Sequence, residues 1–141
     1  MQISKSKIIQ SSLFILLSII ILISFLNFKG FHAKFYNKTG DDIDSLVIAG
    51  TFIGSLKKGQ STEYISFKEF EFADNFPYEQ ISGMIKNKKI VQDYWSDCGE
   101  GREIRSKGNY FFDLKKDTTL IDTTCFYLVE HNKKIFWEEK Q

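Results

Sequence analysis

Proline is nearly absent from this chain of 141 residues: only Pro77 is present, which rules out a polyproline stalk or a proline-rich linker. Charge is missing altogether from residues 8–28. Net charge is also small. Beyond position 28 the chain carries 17 Lys and Arg against 18 Asp and Glu, a net of −1, which argues against a nucleic-acid binder held by phosphate neutralisation. With only two cysteines and two histidines, metal or thiol chemistry has few residues to draw on. No nucleophile elbow, phosphate-cradling glycine loop, HExxH or Cys–His signature occurs, so no catalytic, cofactor-binding or metal-binding residue is assigned and the chain is not read as an enzyme.

What is abundant is apolar: 43% of the residues are hydrophobic and 22 are aromatic, enough for one folded domain and incompatible with a disordered or collagen-like polymer. The uncharged run 8–28 is 21 residues long, and as a helix it would cover roughly 30 Å, the hydrocarbon thickness of a bilayer. Its core LFILLSIIILISFL contains neither Pro nor Gly, and Ser18 and Ser24 can return their hydroxyls to the preceding turn. The expectation is a transmembrane helix, with 1–7 as a short cytoplasmic tail. The residues that follow, Asn27-Phe28-Lys29-Gly30-Phe31-His32-Ala33, offer no small-residue cleavage site, so an uncleaved signal anchor is favoured over a removed leader. Positive charges flank both sides, and a short amino-terminal tail is the side more easily retained in the cytoplasm.

After Gly30 helical periodicity is scarce, and short runs rich in Val, Ile, Thr, Phe and Tyr alternate with turn signals. Strands are expected at 31–36, 43–49, 51–56, 62–67, 81–85, 90–95, 109–114, 120–124 and 126–130. The spacing predicts an all-β domain over 29–137, an immunoglobulin-like antiparallel sandwich of about 7–9 strands, with a small barrel as the alternative and 138–141 as a tail. In 109–114, Tyr110, Phe112 and Leu114 project one way and Asn109, Phe111 and Asp113 the other.

Several residues carry a chemical reading beside a structural one. Cys98 and Cys125 can form a single intramolecular bridge in an oxidising compartment, closing about 28 residues and stabilising by roughly 3.5 kcal/mol on the chain-entropy model; two unpaired thiols are the alternative. His32 and His131 with the two cysteines would make a zinc set only if four scattered positions converged. Asp41, Asp42 and Asp44 are hard oxygen ligands at close spacing but depart from a calcium loop, so a solvated turn is favoured. Asn37-Lys38-Thr39 is a glycosylation triplet by sequence. Lysine doublets at 57–58, 88–89, 115–116 and 133–134 fall on strand connections, where exposure and protection of sheet edges explain them better than basic tips facing anionic lipid headgroups or another polyanion. Phe76, Pro77 and Tyr78 form the densest aromatic loop, a contact site unless it folds back on the core.

Taken together these features predict a protein that uses its amino-terminal helix to sit in a membrane and places its carboxy-terminal domain outside the cytoplasm. Its role would be non-enzymatic binding or structure, with an envelope protein as partner and no nucleic acid. An inhibitor or immunity-type membrane protein acting on a toxin or enzyme is the alternative, and a small hydrolase or thiol enzyme comes third.

Overall fold

A computed structural model describes residues 5–27, 30–92, 101–118 and 124–133. The first element is α1 (Lys5–Asn27), whose side chains from 9 to 24 are all exposed. No helix among the described residues is long and apolar enough to cross a membrane. A spanning role for α1 therefore rests on the sequence of the whole run 8–28.

The body is mostly β. Among the described residues its strands are β1 (Phe31–Asn37), β2 (Ile43–Ile48), β3 (Thr51–Leu56), β4 (Ile65–Phe67), β5 (Phe70–Ala73), β6 (Phe76–Pro77), β7 (Ile81–Ile85), β8 (Lys88–Gln92), β9 (Arg102–Arg105), β10 (Gly108–Asp117) and β11 (Cys125–Glu130). Eight of them form one curled sheet in the order β3-β2-β7-β8-β11-β10-β1-β4, and β6-β5-β9 form a second, smaller one. The expected antiparallel immunoglobulin-like sandwich needs correcting here. β1 lies parallel to β10 and β11 parallel to β8, so the large sheet is mixed. The reason is long-range: β1 and β10 are separated by nearly the whole domain, and a period-two pattern carries no information on strand direction.

Turn chemistry accounts for the hairpins. Ala49-Gly50, Asp74-Asn75 and Lys86-Asn87 each place two consecutive residues at positive φ between antiparallel strands, the geometry whose twist matches that of the flanking ladder. Gly101 needs its missing side chain: a Cβ there would lie 2.1 Å from Asp74 Oδ1, and its carbonyl accepts the Asp74 N–H. At the far end of β1 the chain leaving β3 swings across to β1. Gln60 O accepts the Asn37 N–H, Phe35 O accepts the Thr62 N–H, and Ser61 bridges Tyr36. The two edges of the eight-stranded sheet are thereby joined at one end, which gives the sheet its curl.

The concave face is filled by phenylalanine. Phe31, Phe35, Phe70, Phe112 and Phe126 are fully buried, with Ile43, Leu46, Ile48, Ile81 and Leu114 around them. Phe31 stacks on Tyr110 at 4.3 Å and on Phe70 at 4.7 Å, and Phe70 on Phe112 at 5.4 Å. β5 thus supplies the ring that closes the stack between β1 and β10. Burying each such ring contributes about 2–3 kcal/mol, and each favourable ring pair roughly 0.5–1.5 more.

Candidate functional site

On the convex face of β1, His32, Lys34 and Tyr36 alternate with the buried Phe31, Ala33 and Phe35. The parallel register sets them beside Asn109, Phe111 and Asp113 of β10. Phe111 is 40% exposed and meets the 50% exposed Tyr64 edge to face at 5.7 Å. His32 Nδ1 lies 2.8 Å from Ser66 Oγ. Lys34 Nζ sits 5.8 Å above the Tyr36 ring.

The strongest polar feature on this face is one that period-two reasoning places in solvent. Asp113 is only 4% exposed. His131, which follows β11, covers it: its Nδ1 is 2.6 Å from Asp113 Oδ1 and its ring stacks on Tyr36 at 4.1 Å. The Asn132 N–H donates to Asp113 Oδ2, and Phe111 O accepts the His131 N–H. A carboxylate only accepts, so the hydrogen of this bond is on Nδ1. This is the arrangement in which an acid orients a base. Among the described residues no Ser, Thr or Cys is hydrogen-bonded to that ring, so what the pair does here is pin the turn after β11. Nothing in the sequence signals the Asp113–His131–Tyr36 contact except an acid inside the apolar run Tyr110-Phe111-Phe112-Asp113-Leu114.

The residues singled out by sequence are dispersed. Phe76 is 48% exposed at the tip of the β5–β6 hairpin, whereas Pro77 is buried in the strand and Tyr78 folds inward. Tyr78 donates its N–H to Glu71 O, and Arg102 lies 5.2 Å over its ring. Of the expected contact loop, only Phe76 faces outward. Around it Arg102 pairs with Glu71 at 3.1 Å, and Arg105 lies 4.2 Å over Phe72 while bonding Glu103 and Asn75. Glu79 accepts the Glu71 N–H, and burial pushes its carboxyl above the usual range.

Cys125 is buried at the start of β11, and Cys98 lies outside the described residues, as do Tyr94, Trp95 and residues 120–123 of the expected strand at 120–124. Cys125 and His131 lie six residues apart along one chain direction, roughly 20 Å, and no metal-binding group occurs among the described residues. The three aspartates are engaged by other partners: Asp41 by Lys116 and Lys86, Asp42 by Lys57 and the Lys58 N–H, Asp44 by Ser55. The two lysines hold the Asp41 carboxyl down at about 2, and the Lys58 N–H with Lys57 lowers that of Asp42. Asn37 of the glycosylation triplet is 1% exposed, with its amide fully used: Nδ2 donates to Asp41 O and Leu56 O, and Oδ1 accepts from the Thr39 N–H and hydroxyl. It is an internal strut, inaccessible to a glycan.

No protein-family model matches the chain, and neither does any curated protein or any solved structure.

Proposed function

We propose that this protein is a membrane-anchored binding or structural module of the cell envelope, its β body held outside the cytoplasm. The observation that carries the reading is the uncharged run 8–28 leading almost directly into the core: β1 starts four residues after α1 ends, within roughly 14 Å of chain. A body tethered that closely works at the membrane surface. The convex face of β4, β1 and β10 supports a binding role, because Tyr64 and Phe111 stand exposed among His32, Lys34 and Asn109, the mixture of aromatic and polar groups that recognition surfaces favour. An extracytoplasmic location also suits a Cys98–Cys125 bridge.

The test is alkaline carbonate extraction of membranes, combined with protease access to a carboxy-terminal tag in intact and opened cells and a thiol count under denaturation. Retention in the pellet, a tag reached without opening the cytoplasm and no titratable thiol are the expected results. A chain released by carbonate, or a tag protected until cells are opened, would overturn the reading.

A further inference from the structure

The lysines that look scattered in sequence converge. β1 runs away from α1, and at its far end the β1–β2 connection, the β3–β4 turn, the β7–β8 turn and the end of β10 meet. The contacts establish the meeting directly. Lys116 at the end of β10 and Lys86 of the β7–β8 turn both pair with Asp41 of the β1–β2 connection, the second at 2.9 Å. Lys57 of the β3–β4 turn pairs with Asp42 at 3.2 Å, and the Lys58 N–H donates to the same carboxylate. The Lys38 N–H donates to Leu114 O, and Asn37 O accepts the Gly59 N–H.

These four connections carry seven lysines, at 38, 57, 58, 86, 88, 115 and 116, against Asp41, Asp42, Glu63 and Asp117, an excess of three positive charges. The body as a whole is net −1, so the excess is local and the rest of the body is correspondingly acidic. Asp41 and Asp42 are already engaged by their lysine partners. Lys38, Lys58 and Lys88 are exposed and form no ion pair among the described residues. The support beneath them is stiff, because the buried Asn37 amide ties the β1–β2 connection to β3 and Thr39 locks it again.

We propose that this far end is a docking surface for a linear phosphate-bearing polymer outside the membrane. All of its cations are lysine, which engages phosphate as a mobile point charge without the planar fork of arginine. Its turns, 38–42, 57–60 and 86–88, hold no aromatic side chain on which a base could stack, so a nucleic acid fits less well than a polymer read through its charge alone. The inference rests on the anchored reading only for its direction: with α1 in the bilayer, this end faces away from the lipid. A net positive tip would attract such a polymer, hold it by several weak contacts and release it in salt.

The experiment uses the full chain in zwitterionic detergent micelles, so that binding is measured whether or not α1 spans. Long-chain inorganic polyphosphate is the probe, titrated by fluorescence anisotropy between 50 and 200 mM salt, on the order of the range over which such contacts are lost. The wild-type chain is expected to bind, with affinity falling steeply as salt rises. The variant K38E/K58E/K88E is expected to lose about 100-fold in affinity and to flatten the salt slope by about 2, roughly 0.7 per lost contact. The variant K68E/K107E, altered away from this end, is expected to bind as wild type. Matched circular dichroism and melting curves confirm that both variants fold. No binding at low salt, equal loss in the two variants, or tighter binding to phosphatidylglycerol vesicles than to the polymer would overturn the proposal. None of these outcomes bears on carbonate extraction, which tests the anchor separately.

Discussion

The two ends of the body are held by opposite kinds of chemistry. Near α1, β1 and β10 begin on a stack of rings, Phe31, Tyr110, Phe70 and Phe112, whose contacts are apolar and buried. At the far end the turns are bound by Asn37, Thr39 and the aspartate–lysine pairs. The first end is stabilised by area removed from water and is insensitive to salt and pH. The second depends on directional bonds and on charge, so its contribution changes with both.

Substituting Phe112→Ala should give the largest effect, a loss of about 3–5 kcal/mol in the unfolding free energy by chemical denaturation, because the ring touches Phe31, Phe35, Phe70 and Tyr110 and the surrounding sheet cannot collapse into the space. Asn37→Ala tests the polar end and should cost about 2–3 kcal/mol, since it leaves Leu56 O and the Thr39 N–H buried without their partner. If that loss equalled the loss from Phe112→Ala, the contrast between the ends would fail. Asp113→Asn lies between the two ends. It weakens the charge-assisted bond to His131 and should cost roughly 1–2 kcal/mol, while in the wild-type protein the His131 nitrogen shifts should report hydrogen on Nδ1.

Acid separates the ends without any change in packing. The Asp41 carboxyl titrates at about 2 in the folded chain against an ordinary 3.8, so its contribution is present above about 4 and is lost as pH falls through about 2. Asp41→Asn should therefore flatten the stability profile between those values and leave it parallel to wild type above pH 5, read by urea midpoints in a pH series. High salt should narrow the same difference. The smallest effect belongs to Phe76→Ser, within about 0.5 kcal/mol of wild type, because the ring stands at a hairpin tip. A larger loss there would mean that the hairpin packs on something beyond the described residues.

Alternation exposed most of the long strands to a reading by sequence: 31–36, 51–56 and 81–85 coincide with β1, β3 and β7 to within a residue. The small sheet escaped it. β5, β6 and β9 are two to four residues long, and Arg102-Glu103-Ile104-Arg105 reads as a charged connection until Glu71 and Phe72 lie opposite it. In the expected contact loop, Pro77 and Tyr78 are drawn inward by a partner strand that the sequence does not reveal. The lysine doublets gave the opposite difficulty. Each was visible, and each on its own is an exposed turn; only the strand order brings three connections and the end of β10 to one place.

The chain's own order of residues determined the uncharged leader, the strand-rich body, the alternation that buries Phe31, Ala33 and Phe35, and the turn residues able to take positive φ, because all of these are set within a few bonds. The tertiary structure alone decided the parallel pairing of β1 with β10, the cover that His131 and Tyr36 place over Asp113, and the gathering of positive charge around Asp41. Those contacts join positions from 18 to 95 residues apart, and no local pattern specifies which distant strand closes a sheet: that is settled by how the buried rings pack together, with the charges carried wherever the packing leaves them.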